Sequence, residues 1–323
     1  MKILTISIAA YNIECYLQPL LDDLITSEYL ADLEILVIDD GATDNTLEIA
    51  KRYESEYPNS IKAIHKDNGG WGSAVTTGIR LASGRFFKLL DGDDLFDVHE
   101  LDKLMDYLFT CETDLVITPY LKFYDNSNKT EKPENPIFRI DCPRRIHIED
   151  IPIVPYAFEM YSLTFRTAVL QKKEIMITDH CFYTDNEYAV KGIDRCRSFA
   201  VVPYCVYRYR IGRVGQSVSI EGMRKHYREF EYVLRKMLMY TRDCIKNEKV
   251  KAIFFTRFAG LSYYYFETLF KLGNDCEYCE VCKQFDLWLK KEFHQIYTGI
   301  KYIPIRVLRL TGYRCFRIAR RFQ

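Results

Sequence analysis

The feature that most constrains this chain is its first 120 residues, where apolar strand-like runs and amphipathic helical segments take turns with almost nothing wasted between them. KILTISIAA (2–10), LEILVID (33–39), IKAIH (61–65), FFKLL (86–90) and DLVITPY (114–120) are β-rich and nearly continuous in apolar residues. Between them, residues 15–27, 43–57, 72–83 and 99–110 carry helical periodicity. Strands that read as unbroken apolar runs, each followed by a helix, predict a mostly parallel sheet covered on both faces. In such sheets ligands sit beyond the C-terminal ends of the strands.

The alternation then stops. Residues 121–155 are polar and proline-bearing and predict hairpins and loops; 156–220 mix short elements. From 221 onward two long amphipathic helices are expected, so the chain divides into an α/β domain over 1–216 and a helical region over 217–323. At 323 residues it is long enough for two modest domains. Lysine plus arginine equals aspartate plus glutamate, 45 each, which gives no ground for a nucleic-acid partner.

MKILTISIAAYN reads as a strand and lacks the apolar core of a signal peptide. No apolar run reaches the ~20 residues of a membrane span. With eleven scattered cysteines, this predicts a cytoplasmic protein with reduced thiols. Cys276, Cys279 and Cys282 have a spacing that a metal can use, with His294 as a fourth ligand, but spacing of three on a helix more often makes a small apolar stripe.

The chemistry collects at the predicted strand ends. The first delivers Ala9, Tyr11 and Asn12; the second Asp39 and Asp40. The third delivers a glycine-rich loop with Asn68, Gly69, Gly70 and Gly72, and the fourth delivers Asp91-Gly92-Asp93-Asp94. Each alone reads as a turn or a cap. Together at one sheet edge they describe a nucleotide pocket: Asp40 to accept from a base N–H, Tyr11 to cover the ring, glycines to let the backbone approach. Three carboxylates within four residues repel one another unless a cation sits among them, which predicts Mg²⁺ or Mn²⁺ bridging to a diphosphate. An EF-hand is excluded, since Phe96 and Asp102 stand where glycine and glutamate belong. No GxGxxG follows the first strand. A haloacid-dehalogenase-like phosphotransferase using the same acidic motif, or a non-catalytic nucleotide-sugar-binding subunit, are the alternatives.

ISIAAYN, EILVIDDGATDNT, DNGGWGSAVTTGIRLASGRFFKLLDGDD and FYTDNEY, in this order, resemble the family 2 glycosyltransferases with the GT-A fold. The resemblance is strong over about residues 3–120, thinner over 156–220 and absent from the last hundred. It implies an inverting transferase with a nucleotide-sugar donor (a UDP-sugar by the reading of Asp40) and a divalent metal. By position, Tyr11 and Asp40 would hold the base, with Asp39 supporting. Asp91 and Asp93 match the DxD motif, and Asp93 or Asp94 would ligate the metal. The family's base is an aspartate in an acidic pair; Asp185 takes that place, with Thr184 where the family has glutamate and Glu187 as the fallback. Arg210 and Arg213 in RYRIGRVGQSVS would grip phosphate. The QxxRW motif of processive members is missing, which points to one sugar per event.

Residues 296–323 hold seven basic residues and no acidic one. Arg306, Arg309, Arg317 and Arg320 recur near helical spacing, with Leu308, Cys315 and Phe322 on another face, a pattern expected of a helix on an anionic membrane surface. The expected acceptor is a saccharide or lipid-linked saccharide in surface polysaccharide or glycan synthesis.

Overall fold

The computed structural model describes residues 1–125, 127, 129–134, 136–139, 144–151, 158–172, 175–213, 215–273, 276–314 and 316. The chain forms two compact units, Met1–Arg213 and Val214–Gln323.

In the first unit, β1 (Leu4–Ala10), β2 (Leu33–Asp39), β3 (Ile61–His65) and β4 (Phe86–Asp91) pair in parallel in the order β3-β2-β1-β4. Every residue of β2 is buried, as a strand covered on both faces requires. The covering helices are α1 (Glu14–Leu24), α2 (Thr46–Glu56), α3 (Trp71–Leu81) and α4 (Val98–Thr110). Their stripes follow helical spacing: Leu17, Leu20, Leu21 and Leu24 are buried on α1, and Leu101, Leu104, Met105 and Leu108 on α4. Asp97 caps α4 by accepting from the Glu100 N–H at 3.2 Å.

The chain steps outward from β1 to β3, then crosses back to the far side of β1 for β4. The reversal opens a crevice at the C-terminal ends of β1 and β4. The register puts Ala9 level with Asp91, Ala10 level with Asp39, and Asp39 level with His65, so these ends share one line.

The expected strand over 114–120 is two strands serving two sheets. β5 (Leu95–Phe96) follows the acidic turn directly; β6 (Leu115–Ile117) stays in the large sheet, while β7 (Tyr120–Tyr124) joins a small one with β8 (Thr130–Glu131). The large sheet is completed by β9 (Arg144–His147), β10 (Leu163–Arg166) and β11 (Ser198–Val201). Its order beyond β4 is β10-β6-β11-β9, with β10 antiparallel to both neighbours. β12 (Tyr207–Ile211) lies between β5 and β7 in the small sheet. The chain thus passes from one sheet to the other at Asp91–Asp94, and β12 lies alongside the strand that leaves that turn. Two further helices, α5 (Thr167–Gln171) and α6 (Asp185–Ile193), lie in the 156–200 region.

The second unit is helical: α7 (Ile220–Asp243), α8 (Glu248–Leu272), α9 (Cys276–Glu292), α10 (His294–Gly299) and α11 (Ile303–Leu310). Ser219 caps α7 and Asn247 caps α8 through their side-chain oxygens. Phe230, Val233, Leu234, Met237 and Leu238 of α7 and Phe254, Phe258, Phe266 and Leu269 of α8 are buried in its core.

Arg309 was expected on an outward basic face. It turns inward instead: its guanidinium donates to both oxygens of buried Asp286, Nε at 2.9 Å and one terminal nitrogen at 2.6 Å, and lies 3.7 Å from the Tyr297 ring centroid. A buried carboxylate on α9 outcompetes water for the one arginine that can reach it with both nitrogens. Arg306 is exposed and Leu308 buried; Cys315, Arg317, Arg320 and Phe322 lie outside the described residues. On α9, Cys282 is buried, and burial pushes its thiol pKa well up, so it is an apolar filler. No described helix is long and apolar enough to cross a membrane.

Candidate functional site

The site forms around the line of strand ends. Tyr11 projects from the end of β1, 51% exposed. Asn12 follows in the left-handed region at φ 50°, and its Oδ1 accepts from the Thr43 N–H at 2.8 Å, which ties the first strand-end loop to the second. Asp39 is buried; one oxygen accepts from the Ala42 N–H at 3.0 Å and the other lies 2.6 Å from His65 Nδ1.

Asp40 is placed otherwise than the base-reading role expects. Its carboxylate accepts from Lys66 Nζ at 2.6 Å, the Gly69 N–H at 3.0 Å and the Gly70 N–H at 2.7 Å. Most of its acceptor capacity is therefore spent inside the protein. Its carbonyl accepts from the Asn68 side chain at 2.9 Å. The glycine loop closes on Asp40, with its amides aimed at protein rather than outward.

The same loop locates the segment that carries Asp185. The Gly69 carbonyl accepts from the His180 N–H at 2.7 Å. A Cβ on Gly72 would come 2.3 Å from the Thr178 carbonyl oxygen, so only glycine admits this approach. Four residues beyond Cys181 the chain turns into α6, with Asp185 at its first position. Glu187, the fallback base, is fully buried and accepts from Thr178 Oγ1 at 2.6 Å and Lys191 Nζ at 2.7 Å. It anchors α6 to the loop that precedes it.

The acidic turn divides its labour. Asp91 accepts from the Trp71 indole N–H at 2.7 Å. Burial pushes its pKa up to about 7, with Asp93 and Asp185 adding to the rise, against the Trp71 hydrogen bond and Arg213. Asp185 is thus near enough for its charge to be felt at Asp91. The Gly92 N–H donates to the Ala9 carbonyl at 3.2 Å. Asp94 is 1% exposed: one oxygen accepts from Tyr207 Oη at 2.7 Å, the other from the Arg210 N–H at 2.7 Å. Burial, then Asp91 and Asp93, raise its pKa well above the usual carboxylate range. Tyr207 Oη also accepts from the Asp91 N–H at 3.1 Å, so one hydroxyl braces the turn at both ends.

Asp93 is partly exposed, like Asp91 and unlike buried Asp94. Its Oδ2 lies 2.9 Å from Arg213 Nε. The Arg210 Nε donates to the Asp93 carbonyl at 2.6 Å, and its guanidinium pairs with Asp125. Both guanidiniums lie over the Tyr16 ring, at 5.0 and 5.6 Å. Lys66, Trp71 and Tyr207 were missed from sequence, as was Tyr16. Trp71 carried one signal, an aromatic inside a glycine loop; Tyr207, 113 positions from Asp94, carried none.

Among the described residues no group of three or more His, Cys, Asp or Glu side chains is arranged to hold a metal. The acidic turn fits a cation of another kind, one held by the partly exposed Asp93 carboxylate with the remaining positions left to a ligand's phosphates and water, as Mg²⁺ and Mn²⁺ accept.

The profile of glycosyl transferase family 2 matches residues 5–188. The chain belongs to this family. Over 224 residues it is 37% identical to an uncharacterized glycosyltransferase, the MG060 homolog of Mycoplasma pneumoniae, covering 68% of this chain and 72% of that protein. It is 24% identical over 254 residues to the minor teichoic acid biosynthesis protein GgaB of Bacillus subtilis, 77% of this chain but 27% of GgaB. In fold it is similar to S. aureus TarS 1–349 solved with UDP, at TM-score 0.72 and 16% identity over 99% of this chain and 90% of that one. It is also similar to the mannosyltransferase PcManGT of Pyrobaculum calidifontis, solved with GDP-Man and Mn²⁺, at TM-score 0.58 and 14% identity over 99% and 84%. The family 2 chain described here is a GT-A-type glycosyltransferase with added C-terminal helices.

Proposed function

We propose that this family 2 enzyme moves one sugar from a nucleotide-sugar, a UDP-sugar, to a hydroxyl of a saccharide or lipid-linked acceptor, with inversion at the anomeric carbon. The observation that carries the reading is the meeting of Tyr11 and the acidic turn at the C-terminal ends of β1 and β4, with the segment that leads into α6 held on the glycine loop by the Gly69–His180 hydrogen bond. Similarity to a chain solved with UDP supports the donor class, and similarity to GgaB supports a surface-polymer acceptor.

Tyr11 supplies an exposed ring on which the base stacks. Asp40 acts mainly by holding the glycine loop, and keeps at most one lone pair for a base N–H. Asp93 is the metal ligand; Asp94, buried with both oxygens occupied, is a brace. A divalent cation there supplies charge neutralisation at the leaving diphosphate. Asp185, at the α6 N-terminus, accepts the proton of the acceptor hydroxyl as oxygen attacks the anomeric carbon from the side opposite the leaving group. Arg213 interacts with the phosphates. Family membership favours sugar transfer over phosphotransfer.

For membrane contact the described part of α11 keeps Arg306 from the expected basic face and loses Arg309 to Asp286. Ile303, Arg306 and Leu310 are exposed on α11, Leu310 at 87%, one basic residue between two apolar ones. We place the enzyme in the cytoplasm with this face on an anionic bilayer; equal flotation of the protein with neutral and anionic vesicles overturns that placement. The function is tested with a panel of nucleotide sugars and Mn²⁺. Transfer or slow hydrolysis of a UDP-sugar is expected, and donor binding with neither reaction would identify a non-catalytic binding subunit.

A further inference from the structure

The acidic turn already holds a positive charge, and it is not a metal. Arg213 places Nε 2.9 Å from Oδ2 of Asp93, a partly exposed carboxylate. The side chains of the two partners are 30% and 19% exposed, so the pair is sheltered but not sealed. Nε is at ion-pair distance without the alignment of a hydrogen bond. The contact is thus a Coulombic one, easier to exchange than a bidentate fork.

The backbone just before Arg213 takes a conformation that favours glycine. Gly212 sits at φ 96°, where side-chain-bearing residues are rare, and a Cβ there would meet nothing within 4 Å. Packing space does not demand glycine at this position; the positive φ does. Arg210, three residues earlier, is held by contrast at several points: Asp93 carbonyl, Asp125, and the rings of Tyr16 and Phe123. Arg213 shares the Tyr16 ring, at 5.6 Å, and meets Asp93 through the looser contact just described.

We propose that Arg213 is the resident counter-ion of Asp93, and that a divalent cation enters only by displacing it onto the donor's diphosphate. The inference rests on the assignment of Asp93 as metal ligand. A guanidinium in contact with a carboxylate oxygen and a divalent ion on the same carboxylate repel each other, so the two occupy Asp93 in turn. With metal alone the displaced guanidinium has no new anion; with a nucleoside diphosphate it does. Metal and nucleotide therefore bind with positive coupling, reciprocal by linkage. The interlock keeps the carboxylate neutralised before the donor arrives and releases it when phosphate is present to replace it.

The test is Mn²⁺ binding, read from the electron paramagnetic resonance signal of the free ion, for wild type, Arg213→Gln and Arg213→Lys, with and without UDP. In MnCl₂ alone, Arg213→Gln is expected to bind about ten-fold tighter than wild type. UDP should tighten Mn²⁺ binding strongly in wild type and clearly less in Arg213→Gln. Arg213→Lys, which keeps the charge, should resemble wild type, and this separates charge from loop packing. Equal Mn²⁺ affinity of Gln and wild type without UDP, with both gaining equally on its addition, overturns the interlock and leaves the metal assignment standing. No Mn²⁺ binding by any form, with or without UDP, overturns the metal assignment and the interlock with it. Circular dichroism melts confirm that each variant is folded.

Discussion

Two buried carboxylates, one in each unit, show what separates a binding site from a core. Asp286 of the helical unit meets a guanidinium fork from Arg309 and the hydroxyl of Tyr313, so its charge is answered locally. Asp94 of the α/β unit is equally buried, but its partners are a tyrosine hydroxyl and a backbone N–H, and its nearest charges are Asp91 and Asp93. Against these carboxylates stands the Arg213 guanidinium, in contact with Asp93. The first arrangement closes on itself; the second leaves negative potential unanswered, which is costly in the free protein and useful to a cation.

Substitutions should split the two regions cleanly. Asp93→Ala is expected to lower transfer roughly 10³-fold while the melting temperature holds or rises, since one of three like charges is gone; a folded variant with robust turnover sinks the metal assignment. Asp185→Asn should cost at least about 10²-fold in transfer and leave donor affinity unchanged by calorimetry; unaltered turnover removes it as the base. Asp286→Ala, by stranding Arg309, should destabilise the protein by about 3–5 kcal/mol in denaturant titration. A loss under 1 kcal/mol would put Asp286 with the many ion pairs that contribute little.

Lys88 sharpens the contrast from within the α/β unit. It is fully buried on β4, donates to the Tyr161 and Leu163 carbonyls at 2.9 and 3.4 Å, and burial lowers its pKa to about 7. Between this value and the unfolded value of 10.5 the folded protein binds fewer protons than the unfolded chain. Stability from this group therefore rises with pH across that window, by at most about 1.4 kcal/mol per pH unit. Lys88→Met should flatten that slope in melts from pH 7 to 10; an unchanged slope refutes it. The smallest effect concerns Trp71. Trp71→Phe removes the N–H that holds the Asp91 pKa down, so that pKa should move above about 7 by carboxyl NMR, the change being worth about 1 kcal/mol.

The β1–β4 frame and the residue types at its strand ends were legible from the chain alone. Helical and strand periodicity are local, and runs such as LEILVID with no polar interruption have one use in a covered sheet. The long helices α7 and α8 were legible for the same reason. Motif order carried the family resemblance, and the match over residues 5–188 bears it out. Residues 114–124 were not legible at this level. One apolar run looks like one strand, and nothing in it marks where the chain leaves the large sheet for the small one.

How the acids are used is set by contacts distant in the chain. Asp39, Asp40, Asp91, Asp93 and Asp94 read alike in one dimension as exposed ligands. Which of them face outward depends on partners from distant chain: Lys66 and the glycine amides for Asp40, Tyr207 and Arg210 on β12 for Asp94, Trp71 for Asp91. The same holds for Arg309, whose helical spacing pointed to water and whose partner Asp286 lies on another helix. Periodicity reports which face a residue is on. Whether a charge on that face is answered depends on what the fold brings opposite it, and β12 brings Arg210 and Arg213 to the acidic turn from about 120 residues away.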